Sequence, residues 1–244
     1  MKKFSWSEFL SKKKKDIERL KLWVIREELP FQSLLPVEGL LKTIDDFPNL
    51  TCFYLAVHCN QPLFGQDPII TEKNIVFNKL FSKPIPLRKF KLFFRKPFIS
   101  DGGFFVLLEA LKASCPTLEK LQIIVGGNLV CGDGKINTLV ESIIGLKNLR
   151  SLRLNNLSFE SGKCFFEFIK AIYSLKYLRN LRLGEFSEGI RASLFAEGAE
   201  KILLKPGLRK FECRVSWVFK KISRQEDPEC RLISLNEVKN WRDI

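Results

Sequence analysis

The chain has 244 residues, 45% of them hydrophobic and 28% charged, which is enough to bury a substantial core and argues against disorder. Forty-one Lys and Arg against 27 Asp and Glu give a formal net charge of +14, so the expected partner is anionic: an acidic protein face, RNA or an anionic membrane surface. The single histidine, His58, excludes most hydrolase triads and most histidine-based metal sites.

The first stretch, MKKFSWSEFLSKKKKDIERLKLW, is basic but lacks the apolar centre of a secretory signal. Glu8, Asp16 and Glu18 interrupt any mitochondrial presequence. Residues 4–14 read as a capping helix, and the lysine run at 12–15 as a solvated face or an arm toward RNA or anionic lipid. Ile17, Leu20 and Leu22 have the spacing of a turn feeding a strand, yet DIERLKLWVIREE also suits a helix with Ile17, Leu20 and Val24 inward. Both readings of residues 16–25 stay open.

From here one unit recurs. A helical face (Val37, Leu40, Leu41, Ile44, Phe47) leads by a short turn to Leu50, Phe53 and Leu55, spaced three and then two apart, as a strand with alternate residues inward requires. The same spacing returns as Leu87, Phe90, Leu92; Leu118, Leu121, Ile123; Leu149, Leu152, Leu154; Leu178, Leu181, Leu183; and Leu208, Phe211, Cys213. The starts lie 37, 31, 31, 29 and 30 residues apart, and QPLFGQDPIIT at 61–71 accounts for the longer first interval as an insertion. Further helical faces fall between the copies. They are Phe104, Leu107, Leu108, Leu111; then Ile136, Leu139, Val140, Ile143, Ile144; then Phe165, Phe168, Ile169, Ile172; and a looser Ile190, Leu194, Ile202, Leu203. Residues 217–244, with EDPEC and the apolar run 232–235, read as a closing strand or turn.

These residues resemble leucine-rich repeats, and units of about 30 residues with a full helix are similar to the ribonuclease-inhibitor-like class. The resemblance covers residues 36–216. It implies an α/β solenoid with a parallel concave sheet and convex helices, six repeats or seven with Ile17, flanked by an N-terminal cap at 1–35 and a C-terminal cap at 217–244. That class places Asn or Cys eight residues after the first leucine, to bond loop backbone. Here those places hold His58, Arg95, Gly126, Leu157, Phe186 and Ser216.

Several tempting motifs fail. GGNLVCGDGK at 126–135 lacks the first glycine of a phosphate loop (Leu129 stands there) and the hydroxyl after Lys135 (Ile136). It reads as a flexible strand-to-helix connection with Asp133 as a helix cap. His58 and Cys59 are adjacent on an extended segment and point apart. Asp45 with Asp46 and Glu226 with Asp227 suit capping and solvation rather than acid–base work. The seven cysteines (52, 59, 115, 131, 164, 213, 230) include no CxxC pair and read as reduced, mostly buried thiols of an intracellular protein. Phe93 and Phe94 follow a basic strand and suit packing, with base stacking as the functional alternative.

The second, third, fifth and seventh residues of each copy should stand off the core. Across six copies these number 24, of which eleven are basic and two acidic. The basic ones are Arg88, Lys89, Lys91, Lys120, Arg150, Arg153, Arg179, Arg182, Arg209, Lys210 and Arg214. Arg88, Arg150, Arg179 and Arg209 share one register position, so stacked strands about 4.8 Å apart would hold them as a like-charged column. Such a column is costly unless an anion or carboxylate satisfies it, and the arginine fork suits phosphate and carboxylate.

The function expected is therefore a non-catalytic interaction or scaffold module that meets an acidic protein surface through a basic concave face. The alternative is an RNA-contacting accessory subunit of a ribonucleoprotein such as a ribosome. A ubiquitin-ligase substrate adaptor is disfavoured, because about 35 residues before Pro36 lack room for a complete F-box. No cofactor, metal or small-molecule substrate is expected. No run of about 18 apolar residues predicts a membrane span. The expected placement is intracellular and cytoplasmic, with nucleus and mitochondrion open.

Overall fold

The structure, a computed structural model, describes residues 16–26, 47–59, 83–94, 101–126, 129–186, 192–215 and 232–233. The expected capping helix at 4–14, the lysine run, most of the helical face at 37–47, the 61–71 insertion and Ile190 lie outside the described residues, as does all of 217–244 except 232–233.

Seven strands form a parallel sheet in chain order. They are β1 Arg19–Arg26, β2 Cys52–Cys59, β3 Lys89–Phe94, β4 Lys120–Ile124, β6 Ser151–Leu154, β8 Asn180–Phe186 and β9 Lys210–Val215. Of the two readings of residues 16–25, the strand is the one observed. An eighth strand, β10 Leu232–Ile233, pairs antiparallel with β9. A separate pair, β5 Leu129–Cys131 and β7 Leu157–Phe159, runs parallel. GGNLVCGDGK is thus not simply a flexible connection, because three of its residues are a strand. Among the described residues there are four helices: α1 Asp101–Ser114, α2 Asp133–Gly145, α3 Gly162–Ser174 and α4 Ala192–Leu203.

The register follows the leucine spacing. Leu20, Phe53, Phe90, Leu121, Leu152, Leu181 and Phe211 are successive partners across the sheet, and so are Leu22, Leu55, Leu92, Ile123, Leu154, Leu183 and Cys213. A one-residue slip would turn both rows to the wrong face, so burial fixes the pairing. Just before each strand a recurrent backbone bond locks the stack. The carbonyls of Glu18, Thr51, Arg88, Glu119, Arg150 and Arg179 each accept two consecutive N–H groups from the following strand's entry, at 2.7 to 3.1 Å. A bulge between Leu183 and Phe186 is the irregularity on β8.

Helices pack neighbour to neighbour, α1 on α2, α2 on α3 and α3 on α4. Their buried sides and the inward strand rows form one continuous core. Helix α3 shows the local logic. Ser161 caps it by accepting the Cys164 N–H at 3.2 Å, and Cys164, Phe165, Phe168, Ile169, Ala171 and Ile172 fill the interior at helical spacing. Gly198 of α4 is there because a methyl would lie 2.4 Å from Phe165 Cε1, so only glycine permits this approach. Two expectations on α2 need correction. Its cap is Gly132 with no side-chain bond, while Asp133 is the first helical residue and accepts from the Cys164 thiol at 3.0 Å. Ile144, placed by periodicity on the apolar face, is 41% exposed, since it lies about 100° round from Ile143.

Five described turns into strands are built on the residue three before the first leucine, whose carbonyl receives the leucine's N–H, whereas at β3 the Leu87 N–H goes to the Ile85 carbonyl at 2.7 Å. Phe47, Cys115, Leu146 and Leu175 occupy this place and are buried. In the last such turn it is Lys205, 5% exposed, whose Nζ donates to the Tyr173 carbonyl at 2.6 Å and lies 5.4 Å from the Tyr173 ring centroid. Burial holds this ammonium below its ordinary pKa. The loop bond assigned by resemblance to the eighth place is made one residue earlier by Asn156. Its backbone is left-handed at φ 59°, its Nδ2 donates to the Val125 carbonyl, and its own carbonyl accepts the Leu129 N–H at 2.7 Å, anchoring the start of β5.

Candidate functional site

The face of the long sheet opposite the leucine rows carries the predicted basic residues. Successive partners read Arg19, Cys52, Lys89, Lys120, Ser151, Asn180, Lys210 in one row. The next row reads Lys21, Tyr54, Lys91, Gln122, Arg153, Arg182, Glu212. Arg88, Arg150, Arg179 and Arg209 are exposed and stand immediately ahead of their strands, the first three at positions whose carbonyls clamp the stack and Arg209 donating its N–H to the last of these. Their column is not uniform, because Glu119 lies between Arg88 and Arg150 and approaches Arg88 to 4.0 Å. Arg214 is on β9 opposite Leu232 of the antiparallel edge.

The face has two ends. On β1–β3 it is partly aromatic. Trp23 is 60% exposed and meets Tyr54 edge-on at 5.2 Å between centroids. Ala56, expected to stand off the core, is fully buried in register between Trp23 and Phe93, and Phe93 itself is half-buried. On β4–β9 a shallow depression of about 210 Å³ opens over the sheet. Ser151, Asn180 and Gln122 contribute short neutral groups to it, and Lys120, Arg153, Arg182, Lys210 and Glu212 complete its polar lining. A smaller hollow of about 70 Å³ adjoins it, sharing Arg153, Arg182 and Glu212.

Glu212 organises this end. It accepts from Arg182 Nε and pairs with Lys210 Nζ at 2.5 Å. The Arg182 bond, aided by Lys210 and opposed by burial, holds its carboxyl below the usual carboxylate range. At Lys120 the balance is reversed. Partial burial, followed by the charges of Lys91, Lys89, Arg182 and Arg153, holds its ammonium below the usual lysine value. Among the described residues no hydrogen bond or ion pair engages the Lys120 ammonium.

The structure therefore brings Lys120, Arg153, Arg182 and Lys210 to one depression, with Lys89 and Lys91 beside it on β3. Arg88, Arg150, Arg179 and Arg209 do not line it. Sequence reasoning passed over the neutral floor and the organising role of Glu212, although their row positions identify both. It also left out Arg19 and Lys21, because the strand that carries them was one of two readings.

Other chemistry is thin. Cys115, Cys131, Cys164 and Cys213 are buried and Cys52 half-buried, all as free thiols. Burial first, and the carboxylates of Asp133 and Glu160 after it, push the Cys164 thiol up, the opposite of an activated nucleophile. Among the described residues no group of three His, Cys, Asp or Glu could hold a metal ion, and no helix is long and apolar enough to cross a membrane. No family model matches the chain, and no curated protein or solved structure matches it either.

Proposed function

We propose that the chain is a degenerate leucine-rich-repeat solenoid of the ribonuclease-inhibitor-like kind, and that it serves as a non-catalytic interaction module docking an acidic protein surface. Strands in chain order, neighbouring helices in the same order and a leucine register shared by seven strands support the solenoid reading. In such a stack the sheet face opposite the leucines is the concave one.

The observation that carries the docking reading is the register itself. It sets Lys89 beside Lys120 and Arg153 beside Arg182 on adjacent strands, with Glu212 the one carboxylate on the two strand rows among the described residues. Like charges directly opposite one another destabilise a sheet, so this arrangement is best relieved by an incoming anion. Arginine and aromatic side chains on one face also match the composition of protein-binding hot spots.

An RNA partner is the second reading. The exposed Trp23 with Tyr54, beside Lys21, favours it, since cations with an aromatic platform suit single strands. The test is affinity capture with the intact chain and with Arg150→Glu, Arg153→Glu, Arg179→Glu and Arg182→Glu combined. We expect one partner protein, retained after nuclease treatment and lost with the folded quadruple variant. Retention by that variant would overturn the docking face, and loss on nuclease treatment would transfer the face to RNA.

A further inference from the structure

The depression over β4, β6, β8 and β9 is more specialised than a basic surface needs to be. Four cations, Lys120, Arg153, Arg182 and Lys210, less one carboxylate, Glu212, leave its lining with a formal charge of +3. The cations ring a floor of short groups, Ser151 and Asn180, which occupy the row between Lys120 and Lys210. A larger side chain at either place would fill the hollow. Glu212 engages Arg182 and Lys210 from the β9 side, so those two long side chains are held at the rim rather than free to fan into solvent. Lys120 faces them from β4, and among the described residues no carboxylate pairs with its ammonium.

We propose that this depression is a subsite for a phosphomonoester, borne by a phosphorylated side chain on the acidic protein segment that docks along the face. The proposal rests on the docking reading above and narrows it. A carboxylate brings one charge and two oxygens. A phosphomonoester brings a charge of about −1.5 to −2 and three strong acceptor oxygens, which matches several cations converging from different strands. Arginine clusters recognise phosphorylated motifs by this chemistry, with lysine acting as a point charge. The ammonium of Lys120 supplies the second, independent sign of an unfilled anion place, since both its burial and its cationic neighbours work against its charge. The hydroxyl of Ser151 and the amide of Asn180 add neutral donors on the floor, each on a strand fixed by the leucine rows.

The experiment is calorimetric titration of the full chain with two glutamate nonapeptides, one carrying a central phosphoserine and its twin a serine. The phosphopeptide binds about tenfold tighter, as one or more added charge-assisted bonds imply. Lys120→Gln weakens the twin about twofold and the phosphopeptide about tenfold, and Arg153→Gln does the same. Thermal unfolding of both variants establishes that they are folded. Equal affinity of the two peptides for the unaltered chain overturns the subsite and leaves the docking face standing. Binding of neither peptide overturns both. A phosphoserine preference that survives both substitutions places the phosphate elsewhere and ends the proposal. Tighter binding of a uridine oligonucleotide of equal charge assigns the depression to a nucleic-acid backbone instead.

Discussion

Two faces of one sheet share the same register but not the same chemistry. Inward, Leu20, Phe53, Phe90, Leu121, Leu152, Leu181 and Phe211 repeat one kind of side chain across seven strands. Outward, neither strand row holds more than two cations in succession before Ser151, Gln122, Tyr54 or Glu212 intervenes. Apolar neighbours gain by meeting, so an inward row extends without limit. Cationic neighbours lose by meeting, and an outward row is broken after one cation or two. The difference teaches that a basic face on a stacked sheet has a natural grain. Pairs of cations are tolerable, and wherever pairs from adjacent rows converge the structure must provide a carboxylate or await an anion.

The comparison is broken most severely from the inward side. Phe90→Ala removes a fully buried ring stacked on Phe53 at 5.6 Å, and should cost about 3 to 5 kcal/mol in urea unfolding. A loss below about 1 kcal/mol would mean the rows do not share one core.

On the outward side Glu212→Gln should cost about 1 kcal/mol, discounted for the partial exposure of Arg182 and Lys210. Its carboxyl is held below the unfolded value, so the contribution is complete at neutral pH and fades as pH falls from about 4.3 through the folded value. Urea melts at pH 7 and pH 3 should show the difference between parent and variant shrinking.

The smallest effect carries the opposite sign. Lys120 is held below the unfolded lysine value, so its charge is a burden on the folded state below the folded pKa, relieved as pH rises toward about 10.4. Lys120→Gln should raise Tm by about 1 °C at pH 7, with the gain fading near pH 10. A lowered Tm would mean that Lys120 already has a stabilising role in the absence of any anion.

Much of the architecture was legible because burial is periodic. The three-and-two spacing marks the residues that must face inward, and the parallel register follows once those residues are aligned. The sites that escaped depend on single side chains that break the period. Lys205 occupies a place held elsewhere by Phe47, Leu146 or Leu175, and nothing in its neighbours announces that a carbonyl and a ring from α3 will receive it. Leu129–Cys131 is too short for periodicity to register, and its pairing depends on Asn156 adopting a left-handed turn. Ala56 counted as outward by position but is covered by what flanks it in register, a three-dimensional fact. The basic residues were legible as a set, whereas the depression was not. It requires knowing that Ser151 and Asn180 fall side by side while Glu212 draws Arg182 and Lys210 to one edge.

The reversed strand at the end of the sheet bears on how molecules of this chain meet one another. The outer edge of a parallel sheet is an open template, and the first strand of a second molecule, arriving in the same direction, would continue the ladder into a head-to-tail filament. Leu232 and Ile233 pair with Arg214 and Cys213, so at those two residues the outer backbone groups of β9 are already taken and an arriving copy of β1 cannot pair with them directly. What β10 then offers a newcomer is a strand of two residues, too short a template to seed a long ladder.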